Sequence, residues 1–380
     1  MRAHQPESNK NLLPGITELM RGGLSLTPVT IALVGANLCI FAAMLAYGAG
    51  LWHSPNDVQL AWGANFGPAT KDGEWWRLGT AMFLHFGLVH LAMNMWALWD
   101  GGRLAERLYG RWRFLVIYVA SGLAGNLLSL IVHGDHAVSG GASSAIFGLY
   151  GALLVCLWRE RSLVHPIEFR WLFGGAAVFS AAMVGLGLLV TGIDNAAHIG
   201  GLTAGALLGV VLARRLSAYS PTVGSGRWLA AGALLLAGVT LVAMIPAPSY
   251  RWHDELQARG AIRQFLNEDQ KINNRWREIL DAGRSGRESF EQLAGRIEAD
   301  VTLEYRESFD ALSALDLDPI APSAMTVEAL RKYALLRGEA AHSLAEGLRL
   351  HDEERIRAAL EMARRAPYVA RGVEPPPTLP

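Results

Sequence analysis

Apolar residues dominate this chain in long blocks. Seven of them, at about 28–50, 79–101, 113–133, 142–158, 171–191, 195–213 and 228–246, are bounded by charge, Gly or Pro. A helix needs about 20 mainly apolar residues to cross a bilayer, so each block predicts a spanning helix. The second block is ambiguous because His85 and His90 stand near its start; a helix from near Gly87 to about 105 is the alternative. Beyond residue 250 the pattern changes. Leu256, Ile262, Phe265, Trp276 and Leu280 recur on a helical stripe, and Phe290, Leu293, Ile297, Val301, Tyr305 and Phe309 recur at intervals of three and four. Two more helices are expected near 325–349 and 352–365. In IPAPSYRW (245–252) two prolines stop the last span, and Tyr250 and Trp252 suit a headgroup layer. The tail EPPPTLP reads as disordered.

Charge sharpens this division. Only 18% of the 380 residues are charged, against about 25% in soluble domains, and most lie beyond residue 250. The fold expected is all-α: a polytopic membrane bundle followed by a soluble helical domain. The expected parts are an N-terminal segment (1–27), a six-helix membrane domain (28–215), a loop with a seventh spanning helix (216–248), a helical domain (249–372) and a tail (373–380). The polar first 26 residues do not fit a secretory signal, so the first apolar run reads as an uncleaved anchor. Zero formal net charge gives no support to nucleic-acid binding. Cys39 and Cys156, the only cysteines, lie in apolar runs, which disfavours a disulfide framework or thiolate metal site.

Arginines orient the bundle. Arg103, Arg107, Arg111 and Arg113 follow the second block, Arg159, Arg161 and Arg170 the fourth, and Arg214, Arg215 and Arg227 the sixth, whereas loops 52–78, 134–140 and 192–194 are poor in basic residues. Positive-inside reasoning places the N-terminus in the cytoplasm and, after seven crossings, the C-terminal domain outside.

With that polarity, the second, fourth and sixth spans enter from outside and carry His90 and Asn94, Ser143, and His198 in their first turns. At 1.5 Å per residue, Ser143 and His198 come about 5–10 Å below the surface. A serine beside a histidine can transfer its proton as it attacks a carbonyl, and histidine titrates in the useful range. His90 and Asn94, four apart, share a helical face and can donate to an oxyanion; so can the unpaired backbone N–H of Ser143 near a helix start. Structural readings stand beside these. Ser139 and Ser144 suit close helix packing, and Gly201 and Gly205 form a G-x-x-x-G packing groove. His85 reads equally as an interfacial histidine without a role. Asp194, four before His198, is expected to cap its helix rather than complete a triad. Asn37 and Asn126 have no nameable partner.

The segments HFGLVHLAMN (85–94), GASSAIFG (141–148) and AHIGGLTAG (197–205) resemble, in order and spacing, the three signatures of the rhomboid intramembrane serine proteases; WWR (75–77) resembles that family's first-loop motif. The resemblance covers about residues 28–215. It implies a Ser–His dyad without an acid: Ser143 as nucleophile, His198 as base, and His90, Asn94 and the Ser143 amide as oxyanion donors. Gly141 would allow close backbone approach, and Phe147 falls where the family often stacks an aromatic residue on the base. Ser144 departs from the family's frequent Gly and adds a second hydroxyl. The seventh span resembles the family's "six plus one" form.

The implied function is cleavage of peptide bonds in or near transmembrane segments of membrane proteins, in a bacterial inner membrane. Transmembrane protein substrates and the lipid bilayer are the expected partners, with a protein partner for the C-terminal domain and no nucleic acid. No cofactor or metal is implied, and no ligand set stands out. The rival within the family is an inactive rhomboid-like protein that binds transmembrane helices. A transporter would show inverted repeats and ionisable residues through the midplane, and the sequence shows neither.

Overall fold

The computed structural model describes residues 26–216, 220 and 224–375, in two compact units, Met1–Pro248 and Ser249–Pro380. The expectations for residues 1–25 and for the end of the tail, 376–380, lie outside the described residues.

In chain order the first unit contains α1 (Pro28–Ala46), α2 (Asn56–Ala61), β1 (Asn65–Phe66), α3 (Gly67–Lys71), α4 (Arg77–Thr80), α5 (Leu88–Ala97), α6 (Arg103–Tyr109), α7 (Arg111–His133), β2 (Val138–Ser139), α8 (Ser143–Glu160), α9 (Pro166–Leu189), α10 (Asn195–Val211) and α11 (Gly226–Ala243). Helices α1, α7, α9 and α11 are each long and apolar enough to cross a membrane, and α10 is apolar but only 17 residues long. The protein is an integral membrane protein with a helical fold.

The second apolar block is not one straight helix from residue 79. The segments Arg77–Phe83 and Leu88–Tyr109 meet at 92°. Residues 51–54 satisfy the broken backbone: the Leu88 N–H donates to the Leu51 carbonyl and the Ser54 N–H to that of Phe86, both at 2.8 Å. From Leu88 the helix runs through a π turn at Leu98–Gly102. The alternative start near Gly87 therefore holds, and the end lies slightly beyond it, at Tyr109.

Helix α8 lies at the centre. From Gly141 to Leu153 every residue is buried except Ser143. A helix this enclosed needs neighbours that come very near, and glycine provides them. Gly201, Gly205 and Gly209 form one ridge of α10, four residues apart. A Cβ on Gly201 would overlap the Ser144 carbonyl, one on Gly205 the backbone of Gly148, and one on Gly209 would come 2.9 Å from Ala152 Cα. On α7, a Cβ at Gly125 would overlap the Ala197 carbonyl. At the far end of this seam Tyr109 Oη lies 2.8 Å from the Ala152 carbonyl and 3.2 Å from that of Gly209.

A buried acid secures the first helix. The α1 N–H groups of Val29 and Thr30 donate to Glu106 at 3.1 and 2.8 Å, and the Thr30 hydroxyl does so at 2.7 Å. Two orphan donors of the helix start thereby meet a carboxylate, the charge sign that the helix dipole favours.

The second unit contains α12 (Trp252–Arg284), α13 (Phe290–Ile297), α14 (Leu303–Ser313), α15 (Ala324–Leu350) and α16 (Glu353–Ala370). The expected stripes need correction at their edges. Leu256 and Phe290 are exposed, whereas Glu255 and Ala258 turn inward beside Phe265, Ile272 and Trp276. Glu255 is accommodated by the hydroxyl and N–H of Ser323 and by Arg259. Tyr250 and Trp252 are both buried. The core also holds a polar centre: Arg337 donates to Asn273 at 2.9 Å and to Tyr305 at 3.2 Å, and Tyr305 donates to Asp269 at 2.8 Å. Burial raises the Tyr305 phenol well above its usual range.

Because Gly205 faces backbone, which cannot rotate away, Gly205→Ala is expected to lower the unfolding free energy by about 1–3 kcal/mol. Gly232→Ala, in open space on α11, is expected to leave it unchanged or raise it by up to about 1 kcal/mol. Equilibrium unfolding in detergent reads both.

Candidate active site

The segment that leads into α8 is anchored before it reaches Ser143. Strands β1 and β2 pair antiparallel, Asn65 with Ser139 and Phe66 with Val138. The Gly141 N–H then donates to the Ala81 carbonyl at 2.8 Å. Gly141 has φ +133°, a backbone region that side-chain-bearing residues rarely enter. Helix α8 starts two residues later. Ser143, its first residue, has a backbone N–H without an acceptor inside the helix.

His198 approaches from the first turn of α10. Its Nε2 lies 2.9 Å from Ser143 Oγ, across 55 residues of sequence. The ring stacks on Phe147 with centroids 4.2 Å apart and planes 9° apart. Phe147 is four residues after Ser143, on the same face of α8. The Gly201 contact with the Ser144 carbonyl sets how near α10 comes. The other imidazole nitrogen, Nδ1, is buried and has no hydrogen-bond partner.

The remaining expected residues divide. The ring of His90 lies against Gly141: a Cβ there would sit 2.8 Å from His90 Cε1 and Nε2, and 3.8 Å from Ser143 Oγ. The Phe86 N–H points at His90 Nδ1 from 3.5 Å, which leaves Nε2 to carry the proton of the neutral ring. Asn94 is buried and spends one amide N–H on the His90 carbonyl at 2.9 Å, with its second N–H still to use. His85 is fully buried, edge-on to His90 with centroids 5.0 Å apart, and its carbonyl accepts from Gln59 at 3.0 Å.

The two serines are distinguished. Ser144 turns toward α7 and donates to Asn126 Oδ1 at 3.2 Å, while the Asn126 amide donates to the Leu78 carbonyl at 2.8 Å. Asn126 thus has the partner that the sequence could not name. Ser139 does more than fill space: it donates to Asp194 at 2.6 Å. Asp194 caps α10 as expected, accepting the Ala197 N–H at 2.9 Å.

Two contributors escaped the sequence reading. Ser129 and His133, near the end of α7, both meet Asp194. Their i, i+4 spacing put them on one face, but nothing in the sequence tied that face to residue 194. Arg77 of the WWR segment is buried and donates to the carbonyls of Leu60 and Ala64 at 2.8 and 3.1 Å, and to Glu74, which braces the loop carrying β1. Among the described residues no three His, Cys, Asp or Glu side chains converge as a metal site.

Comparison with known proteins gives a consistent result. The Rhomboid domain family matches residues 72–215. The chain is 38% identical over 213 residues to Rhomboid protease GluP of Bacillus subtilis, an alignment covering 56% of this chain and 39% of that protein. It is 32% identical over 194 residues to Putative rhomboid protease YdcA of Bacillus subtilis, covering 50% of this chain and 92% of the relative. To Rhomboid protease AarA of Providencia stuartii it is 30% identical over 211 residues, covering 50% and 74%. The chain thus spans less than half of GluP but nearly all of YdcA.

Ser144→Ala is expected to cost about 1 kcal/mol of stability, the net worth of one buried hydrogen bond. The mutant Asn126→Ala should cost more, because it also orphans the Leu78 carbonyl; equilibrium unfolding of the two variants checks the order.

Proposed function

The chain belongs to the rhomboid family, and from that premise we propose that it is an intramembrane serine endopeptidase. The observation that carries this reading is the 2.9 Å approach of Ser143 Oγ to His198 Nε2, at the one residue of Gly141–Leu153 that is not fully buried. In the proposed mechanism Ser143 Oγ–H gives its proton to Nε2 as the oxygen attacks a substrate carbonyl carbon. The resulting oxyanion faces the Ser143 N–H, His90 Nε2–H and the second amide N–H of Asn94. His198 then passes its proton to the departing amine nitrogen as the C–N bond breaks, leaving an acyl ester on Ser143. Water, deprotonated by His198, attacks that ester; the Ser143 Oγ–acyl carbon bond then breaks, Oγ takes the proton back from His198, and the carboxylic acid product leaves.

No acid partner orients His198; Phe147 stacking holds the ring plane instead. The unpaired Nδ1 carries the proton of the tautomer in which Nε2 can accept. The supporting glycines act through space: Gly141 admits the His90 ring, while Gly201 and Gly205 admit α10. His85 packs behind His90 and restricts its tilt. A protein that merely bound helices would not need this proton-transfer geometry.

The proposed substrates are transmembrane proteins, cleaved near the outer face of a bacterial inner membrane. A substrate helix hides its carbonyls in its own hydrogen bonds, and unpaired backbone persists at membrane depth only where protein or water receives it. Residues 28–215 form the six-helix catalytic domain in this reading, and 216–248 carry the seventh crossing. The N-terminus is cytoplasmic, and residues 249–372 form an outer domain that meets a protein partner.

A fluorophosphonate probe tests the chemistry. The parent and Ser144→Ala are expected to be labelled; Ser143→Ala and His198→Ala are not, and both should lose cleavage of a spanning substrate in liposomes. An unlabelled parent that also leaves spanning substrates intact would overturn the proposal. His90→Ala and Asn94→Ala should each lower kcat by about 10²–10³-fold, the usual worth of one oxyanion donor. Deleting residues 252–380 is expected to leave labelling intact.

A further inference from the structure

Asp194 does more than cap a helix. Its Oδ1 accepts the Ala197 N–H at 2.9 Å and lies 3.2 Å from His133 Nε2. Its Oδ2 accepts from the hydroxyls of Ser129 at 2.5 Å and Ser139 at 2.6 Å. An ionised carboxylate has about four acceptor sites, and these four contacts occupy them. None of them comes from His198, whose Nδ1 is unpartnered. Asp194 is therefore not a third member of a triad.

The positions of its partners are informative. Asp194 lies four residues before His198, and Ser139 lies four residues before Ser143. One carboxylate thus holds the approach to the hydroxyl and the approach to the imidazole, while Ser129 and His133 fix it to the end of α7. Between Ser139 and Ser143 stand Gly140, Gly141 and Ala142, and the two glycines are the most permissive residues available. A segment with two glycines does not hold its own geometry, so its direction must come from anchors outside it. The β1 pairing and the Gly141–Ala81 bond are two such anchors, while Asp194, among the described residues, links Ser139 by hydrogen bond to the start of the helix that carries the base.

We propose that Asp194 is a positioning residue for catalysis: by joining Ser139 to the start of α10 it sets the Ser143–His198 distance. This rests on the protease reading given above. Misplacing reacting groups by about 1 Å costs on the order of 10²-fold in rate, so loss of the link lowers kcat and leaves substrate affinity largely intact.

The test uses the full chain in detergent and in liposomes, with a small fluorophosphonate that needs the dyad but no helix-binding surface. Asp194→Asn keeps a good helix cap but loses an acceptor oxygen, and Ser139→Ala removes the link without touching the cap. Both are expected to slow labelling by about 10-fold or more at temperatures where the variant is fully folded. With a spanning substrate, kcat should fall while KM stays within about two-fold. Ser139→Thr, which restores the hydroxyl, should return the rate to within about three-fold of the parent. Labelling by Ser139→Ala at the parent's rate, or a loss that merely follows the folded fraction, overturns the proposal. Should Asp194→Asn fail to fold, the Ser139→Ala and Ser139→Thr pair decides alone. A parent that the probe does not label removes the protease reading and this inference with it, whereas a labelled parent beside an unaffected Ser139→Ala removes only the inference.

Discussion

Everything at the site depends on how near two helices come. Helices α8 and α10 meet backbone to backbone because Gly201 and Gly205 have no side chains to keep Ser144 and Gly148 away. In lipid the hydrophobic effect does not drive helices together, so van der Waals contact at small residues and interhelical hydrogen bonds must do so. That closeness brings an imidazole on one helix to a hydroxyl on the other. A wider seam would separate His198 from Ser143 whatever their heights along the helix axes.

A tightly packed apolar interior then makes stray polar groups costly. The structure answers with matched partners. Glu106 receives the first N–H groups of α1, Asn126 joins Ser144 to the Leu78 carbonyl, and Tyr109 reaches the seam carbonyls of Ala152 and Gly209. Both carboxylates in this scheme, Glu106 and Asp194, sit at helix starts, where unpaired N–H donors and the dipole favour a negative charge. These bonds do more than satisfy groups: each links segments far apart in sequence, so polar satisfaction and architecture come from the same contacts.

The exception is Ser143, half-open in an otherwise buried run. The chain turns sharply just before it while staying buried at Gly141 and Ala142. Gly141, with its positive φ, and the short β1–β2 pairing accomplish that turn. The stacked Phe147 and His198 rings are buried, and the Ser143 hydroxyl lies 2.9 Å from the imidazole.

Much of this was legible in the sequence. Apolar blocks reveal helices because their length and composition are local properties, and helical periodicity puts His90 with Asn94 and Gly201 with Gly205 on shared faces; Phe147 as the ring against the base came from the family resemblance. The break at Leu84–Gly87 was visible only as an ambiguity, since its backbone partners lie at residues 51–54. The stripe positions of Leu256 and Phe290 misled because periodicity counts apolar residues, whereas packing admitted Glu255 once Ser323 and Arg259 were beside it. Sequence by itself determined which residues share a helix face. The tertiary structure alone decided which faces meet, and hence that Ser144 turns to Asn126 and that Asp194 gathers Ser129, His133 and Ser139. The physical reason is that helical periodicity repeats within one segment, while a hydrogen bond or a glycine contact between segments depends on distances that no single segment contains.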